Sequence, residues 1–241
     1  MSAAMSRFMV LIHESETSAA ALAPSETSAL LEAHAAYEEK LRAASAYLEG
    51  ERLRPSAEGK HVSHRDGQPH VLAGPFADKT LSGYFVLEAA SLDAAVSLAQ
   101  QCPASPGAEL DVRPLMKGSL AADKASQRGR VFAFAVLGSA PNEQGWVEVM
   151  DRIDESTGSH FPVGRFLGGV RLEAPGRGRH VAAASTGGRR AVFDGPFLEA
   201  KEVIGGLFFM RIASLDEAVQ WASQSAFMKH GALEIRELWR S

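Results

Sequence analysis

The sequence predicts an α+β fold made twice: two ferredoxin-like modules in one chain, packed as an internal pseudo-dimer. Three observations carry that expectation. Sequence blocks recur in the same order in both halves. Within each half, short β-rich runs alternate with two helical stretches in the order β-α-β(ββ)-β-α-β, which places two helices on one face of an antiparallel sheet. The strands also supply apolar residues to the second sheet face, which then needs a cover; a second copy in the same chain is at hand at high effective concentration.

The recurrence is direct. Gly74-Pro75-Phe76 matches Gly195-Pro196-Phe197, and Ser91-Leu92-Asp93 matches Ser214-Leu215-Asp216, with two more residues between these points in the second copy. LDVRPL from Leu110 matches LEIREL from Leu233, YLEGERL from Tyr47 matches FLGGVRL from Phe166, and GKHV from Gly59 matches GRHV from Gly178. Five matched blocks in one order mark a duplication. The expected division is a first module over 5–116, a polar, glycine-bearing linker over 117–129 and a second module over 130–241.

In the first copy, RFMVLIH from Arg7 is a β-rich run. A helix follows, with Ser25 as its expected N-cap and Leu30, Leu31, Tyr37, Leu41 and Ala44 spaced as an apolar stripe. Short strands are expected around 47–54, 61–65 and 69–73, with Asp66-Gly67 turning the last two into a hairpin. A strand over 82–88, a helix over 91–101 and a strand over 109–115 close the module. The second copy repeats the order, and Ser214 with Glu217 has the spacing of a capping box.

Composition narrows the functional classes. A formal net charge of -4 with no long run of one sign argues against nucleic-acid binding, which needs a basic face. No apolar run reaches the roughly 18 residues that span a bilayer. The single cysteine, Cys102, forbids an intramolecular disulfide, and the N-terminal stretch lacks a signal-peptide pattern, so a cytoplasmic location is expected. There is no phosphate-binding loop, dinucleotide fingerprint, nucleophile elbow or metal-binding histidine pattern, so no cofactor and no metal are expected. His61 and His64 fall on opposite strand faces, and His61 and His180, at matched positions, read as structural.

The run Asp194-Gly195-Pro196-Phe197-Leu198-Glu199-Ala200-Lys201-Glu202, the shorter Ala73-Gly74-Pro75-Phe76-Ala77-Asp78-Lys79, and the stretches AHAAYEEKLRAA from Ala33 and CPASPGAELDVRPL from Cys102 resemble the YCII-related, or DGPF-domain, proteins. The resemblance covers nearly all of the chain outside the linker. It implies a dimeric α+β barrel and, for some relatives, a histidine and an aspartate acting as a pair.

Two residues stand out on that basis. His34 lies on or beside the apolar stripe of the first helix, where an imidazole can work as acid or base near neutral pH. Asp194 opens the turn of the second copy, where a carboxylate can hold the turn or orient a histidine. The first copy has Ala73 in place of that aspartate, and the second copy has VEVMDRIDEST in place of the His34 helix. If the pair must come from one copy, neither copy has it and the chain is a binding or structural relic; if it forms across the copies, one composite site, His34 with Asp194, is expected, with Tyr37, Glu199 and Lys201 as ligand contacts. The expected function is small-molecule binding, with acid–base chemistry of isomerase or lyase type; a noncatalytic accessory module that meets a protein partner is the alternative. Further self-association of the chain is compatible with either.

Overall fold

Phe8, Met9, Val10, Leu11 and Ile12 form the middle of the first strand, β1 (Ser6–Ser15), and all five are buried, so this strand is covered on both faces. The computed structural model describes residues 5–119, 129–138, 144–148, 151, 161, 164–183, 190–195, 203–225, 228 and 231–239. After β1 come α1 (Glu16–Ala20), α2 (Pro24–Ala43), β2 (Tyr47–Arg52), β3 (Lys60–Arg65), β4 (Gln68–Ala73), β5 (Lys79–Ala89), α3 (Leu92–Ala99) and β6 (Glu109–Ser119). The second half contributes β7 (Val131–Gly138), β8 (Phe166–Leu172), β9 (Arg179–Val181), β10 (Val192–Asp194), β11 (Val203–Arg211), a helix here called α4 (Leu215–Gln224) and β12 (Ala232–Glu237).

The chain divides into two compact units, and neither is one sequence repeat. The first comprises Met1–Glu51, Ala77–Leu115 and Pro175–Leu198; the second comprises Arg52–Phe76, Met116–Ala174 and Glu199–Ser241. In the first unit the strand order is β2-β5-β1-β6-β9-β10, and in the second it is β8-β11-β7-β12-β3-β4. The two orders match strand for strand. Each four-stranded sheet from one repeat is extended at β6 or β12 by a hairpin from the other repeat.

The exchange has a local cause. β9 lies along β6 with His180 opposite Asp111, and β3 lies along β12 with His61 opposite Glu234. Gly178 and Gly59 let the backbones close up. A Cβ at Gly178 would lie 2.8 Å from the Val112 carbonyl oxygen, and one at Gly59 would lie 2.8 Å from that of Ile235. The β3–β4 hairpin turns at Asp66 (φ 51°) and Gly67 (φ 75°), as the Asp-Gly pair predicts.

Each unit has its own helix-side core. Phe8, Val10, Ile12, Phe85, Leu87, Leu110, Val112 and Val181 pack with Tyr37, Leu41, Ala95 and Ala99 in the first. Phe132, Phe134, Val136, Phe208, Met210, Leu233, Ile235 and Val62 pack with Ala218 and Ala222 in the second. At ~25 cal/mol per Å² of apolar area removed from water, these two clusters supply the main stabilisation of the fold.

Three local expectations change. Helix α2 begins at Pro24, so Ser25 lies inside its first turn; Ala23 stands at the N-cap and its N–H donates to Glu26 Oε2 at 2.7 Å. The α2 stripe is also narrower than its sequence suggests: only Tyr37 and Leu41 are buried, and Leu31 is exposed. The β6 strand runs on to Ser119, into the expected linker, of which 120–128 lie outside the described residues. The Ser214 cap is as expected, its Oγ accepting from Glu217 N at 3.1 Å.

Candidate functional site

Strand pairing in the first unit lines up polar side chains on the face away from the helices. Residues directly opposite each other in antiparallel strands point to the same face. His13 on β1 pairs with Glu109 on β6, Leu11 pairs with Asp111, and Asp111 pairs in turn with His180 on β9. On β5, Lys79 pairs with Ser15, which shares the face of His13 because side chains alternate along β1. The helix-side core takes the intervening residues Ile12, Leu110, Val112 and Val181. One face therefore carries Lys79, His13, Glu109, Asp111 and His180 in sequence across four strands.

These groups touch. His180 Nδ1 lies 3.2 Å from Asp111 Oδ1, and His180 Nε2 lies 3.7 Å from Glu109 Oε2. Lys79 Nζ donates to Glu109 Oε1. His13 Nε2 lies 3.6 Å from Asp111 Oδ2. That contact is of ion-pair length and just too long for a hydrogen bond, so this buried nitrogen has no hydrogen-bond partner among the described residues. The order is Lys79–Glu109–His180–Asp111–His13, with alternating character along its length.

Burial shapes the chemistry. Asp111 and His180 are buried, whereas the His13 side chain keeps 23% of its exposure. Burial by itself pushes the Asp111 carboxyl up, but the two imidazoles that face it outweigh burial and hold it well below the usual carboxylate range. A carboxylate kept ionised between two rings fixes their orientation and stabilises an imidazolium when one forms. Phe193 on β10 stacks beside the His180 ring, with centroids 6.3 Å apart.

The residues expected from sequence sit elsewhere. His34 lies on α2 against Phe85, with ring centroids 6.2 Å apart. Asp194, at the end of β10, is paired with Arg179 (Nε to Oδ1, 3.1 Å), and its side chain is 88% exposed. Phe85 is on β5 and Asp194 on β10, with β1, β6 and β9 between them, on the order of 19 Å along the sheet at the usual strand spacing. The two residues thus have different partners at different places in the unit. Tyr37 is buried, and its hydroxyl donates to Leu98 O at 2.9 Å. Burial, with Cys102 nearby, pushes its phenol above its ordinary value. Glu199 and Lys201 lie outside the described residues.

His180, which reads as structural from its repeat position, is at the centre of the cluster. The alternation of Glu109, Asp111 and Arg113 along an apolar strand was a signal for the rest: such spacing puts charge on one face of a central strand, where it requires partners. His61 and His64 do point to opposite faces, His64 Nε2 meeting Ser223 O at 3.1 Å on the helix side. No group of three or more His, Cys, Asp or Glu side chains among the described residues is arranged to hold a metal ion.

A sheet with helices on one face and a buried carboxylate facing two imidazoles on the other defines an α+β protein with a polar cluster on its helix-free face. The family model of the YCII-related domain matches the chain twice, over residues 6–119 and 116–241, and the chain belongs to that family as a tandem duplication. Solved structures align along nearly the whole chain at low identity. A candidate chlorite dismutase has 11% identity and a TM-score of 0.46, covering 98% of this chain and 96% of its own. An anthrone oxidase-like protein has 13% identity and a TM-score of 0.43, covering 100% and 94%. A candidate monooxygenase from Fusobacterium nucleatum subsp. nucleatum has 14% identity and a TM-score of 0.42, covering 99% and 93%. None of the curated proteins matches the chain in sequence. No helix among the described residues is long and apolar enough to cross a membrane.

Proposed function

We propose that the protein binds a small organic molecule and moves a proton on it, with His13 as the acid–base group. The observation that supports this reading is the buried Asp111 carboxylate facing His13 and His180 together. His13 directs Nε2 toward Asp111, which leaves Nδ1 as the nitrogen that exchanges a proton with the ligand. Asp111 fixes the ring and offsets the positive charge as His13 takes the proton. In a buried site that ion pairing is worth more than in water. The His13–Asp111 contact shortens to a hydrogen bond when a ligand closes over it, as contacts in ligand-free sites commonly do. Proton abstraction next to a carbonyl, the first step of many isomerisations and eliminations, is the reaction class this arrangement serves. In this reading the two repeats act as an internal pseudo-dimer, supported by the reciprocal exchange of their hairpins.

The test is α-proton exchange in deuterated buffer across a panel of small keto acids, enolisable carboxylic acids and lactones. Wild-type chain should catalyse exchange on at least one member, and His13→Gln should lower that rate by about two to four orders of magnitude, the usual contribution of general acid–base catalysis. Exchange on no member, or a rate insensitive to His13, removes the reading. A second reading, a noncatalytic module, draws on the exposed Val71 and Leu72 of β4, the terminal strand of the second unit's sheet. It would gain from a protein partner whose binding His13→Gln leaves unchanged.

A further inference from the structure

The same strand register allows the two units to be compared position by position. His61 faces Glu234 in the second unit as His180 faces Asp111 in the first. Arg113 and Arg236 match as well, and elsewhere the polar face differs. From the strand pairings, Leu137 stands where the first unit has His13, Ala232 where it has Glu109, and Leu207 where it has Tyr84. From the matched blocks, Gly168 stands for Glu49, the carboxylate that accepts from the Tyr84 hydroxyl at 3.1 Å. Glu234 Oε1 accepts from Arg236 Nη1 at 2.8 Å, so its carboxylate is held by its own strand.

On the helix side Glu14 and Thr80 give way to Gly138 and Val203 at the strand ends, while the core positions stay apolar in both units. Phe8 matches Phe132, Val10 matches Phe134, Ile12 matches Val136, Leu110 matches Leu233 and Val112 matches Ile235, and all lie in the two cores. On the face that carries the cluster, the positions of His13 and Glu109, the two groups that flank Asp111 and His180, are the ones that become apolar.

We propose that the chain keeps one acid–base site, in the first unit, and that the second repeat serves it by donating His180 as a positioning residue. This inference rests on the proposed reading of the cluster. Hairpin exchange explains the pattern of retention. The second repeat must keep His180 because the first repeat's Asp111 uses it, yet it is free to lose the equivalents of His13 and Glu109. The first repeat must keep His13, Glu109 and Asp111, while its own His61 serves a unit without a proton-transferring partner. His180, held on one side by Asp111 and on the other by Glu109 with Lys79, keeps the Asp111 carboxylate aimed so that its second oxygen faces His13.

The test uses ring-nitrogen NMR of the full-length chain labelled at histidine, with His13 assigned by its loss in His13→Gln. His180→Asn should move the His13 ring resonances by more than a linewidth, whereas His61→Asn should leave them in place. If an exchange substrate has been found, the same two variants should lower its turnover by more than tenfold and less than twofold respectively. Unmoved His13 resonances in a folded His180→Asn chain, or equal responses to the two variants, would overturn the proposal. If His180→Asn does not fold, Leu137→His with Ala232→Glu provides the second measurement. It rebuilds the missing groups in the second unit and should shift the His61 resonances; unchanged His61 resonances count against the proposal. Absent exchange activity with an intact His180-to-His13 response removes the catalytic reading and leaves the donation standing.

Discussion

His180 Nδ1 and Asp111 Oδ1 lie 3.2 Å apart although 69 residues separate them in sequence and they belong to different repeats. That pair joins the two main features of the molecule, the exchanged hairpin and the polar cluster. It also makes several outcomes measurable.

Asp111 should give the protein a distinct acid sensitivity. Its folded carboxyl is held below the ordinary value of 3.8, so its stabilising contribution is fully present above about pH 4 and is lost as pH falls through the folded value. Asp111→Asn should unfold at lower urea at pH 6, by about 1–3 kcal/mol for lost charge-assisted hydrogen bonding. It should also lose less stability than wild type between pH 4 and pH 2. Parallel stability curves for the two chains over that range would show that Asp111 is not held in this way.

The hairpin exchange depends on close backbone approach at two glycines. Gly178→Ala sets its Cβ against the Val112 carbonyl oxygen and Arg113 Cδ, and Gly59→Ala does the same against Ile235 and Arg236. Each should cost about 1–3 kcal/mol, the usual range for overpacking. Gly176→Ala, where nothing lies within 4 Å, should be neutral within about 0.5 kcal/mol and is the control. Thermal unfolding of the three variants decides the matter, and equal midpoints would contradict the β9–β6 and β3–β12 pairings.

Cys102 is buried, and burial pushes its thiol up to about 12 despite the opposing charge of Arg190, with Glu14 adding to the rise. At pH 8 very little of it is thiolate, the reactive form. Labelling with dithiobis-nitrobenzoate should therefore be at least about a thousandfold slower in the native chain than in urea-unfolded chain, and should track opening of the first unit's core. Native and unfolded rates within a few fold of each other would show that Cys102 is accessible.

Much of the fold was legible because it rests on local signals. The Asp66-Gly67 turn, the Ser214 cap, the β-rich run at Phe8–Ile12 and the repeated blocks all lie within short windows of sequence. The exchange was not legible, since GKHV and GRHV match each other equally well whichever sheet each hairpin extends. The polar cluster is not legible in sequence for a related reason. The family motif points to His34 and Asp194, but Asp194 pairs with Arg179 at an exposed strand end and His34 lies against the ring of Phe85. The cluster depends on cross-strand register, and His13 sits at the end of an apolar run where nothing nearby in sequence reveals its partner. The matched blocks do carry the acidic position, as Asp111 and Glu234, and the histidine opposite it, as His180 and His61.

The most direct test of the account compares α-proton exchange by His13→Gln, Asp111→Asn and His34→Gln on one substrate, each checked for native folding. The account expects His13→Gln to lose at least a hundredfold, Asp111→Asn to lose a comparable factor, and His34→Gln to remain within about threefold of wild type. A large loss confined to His34→Gln, with His13→Gln unaffected, would contradict it and move the chemistry to the face of α2.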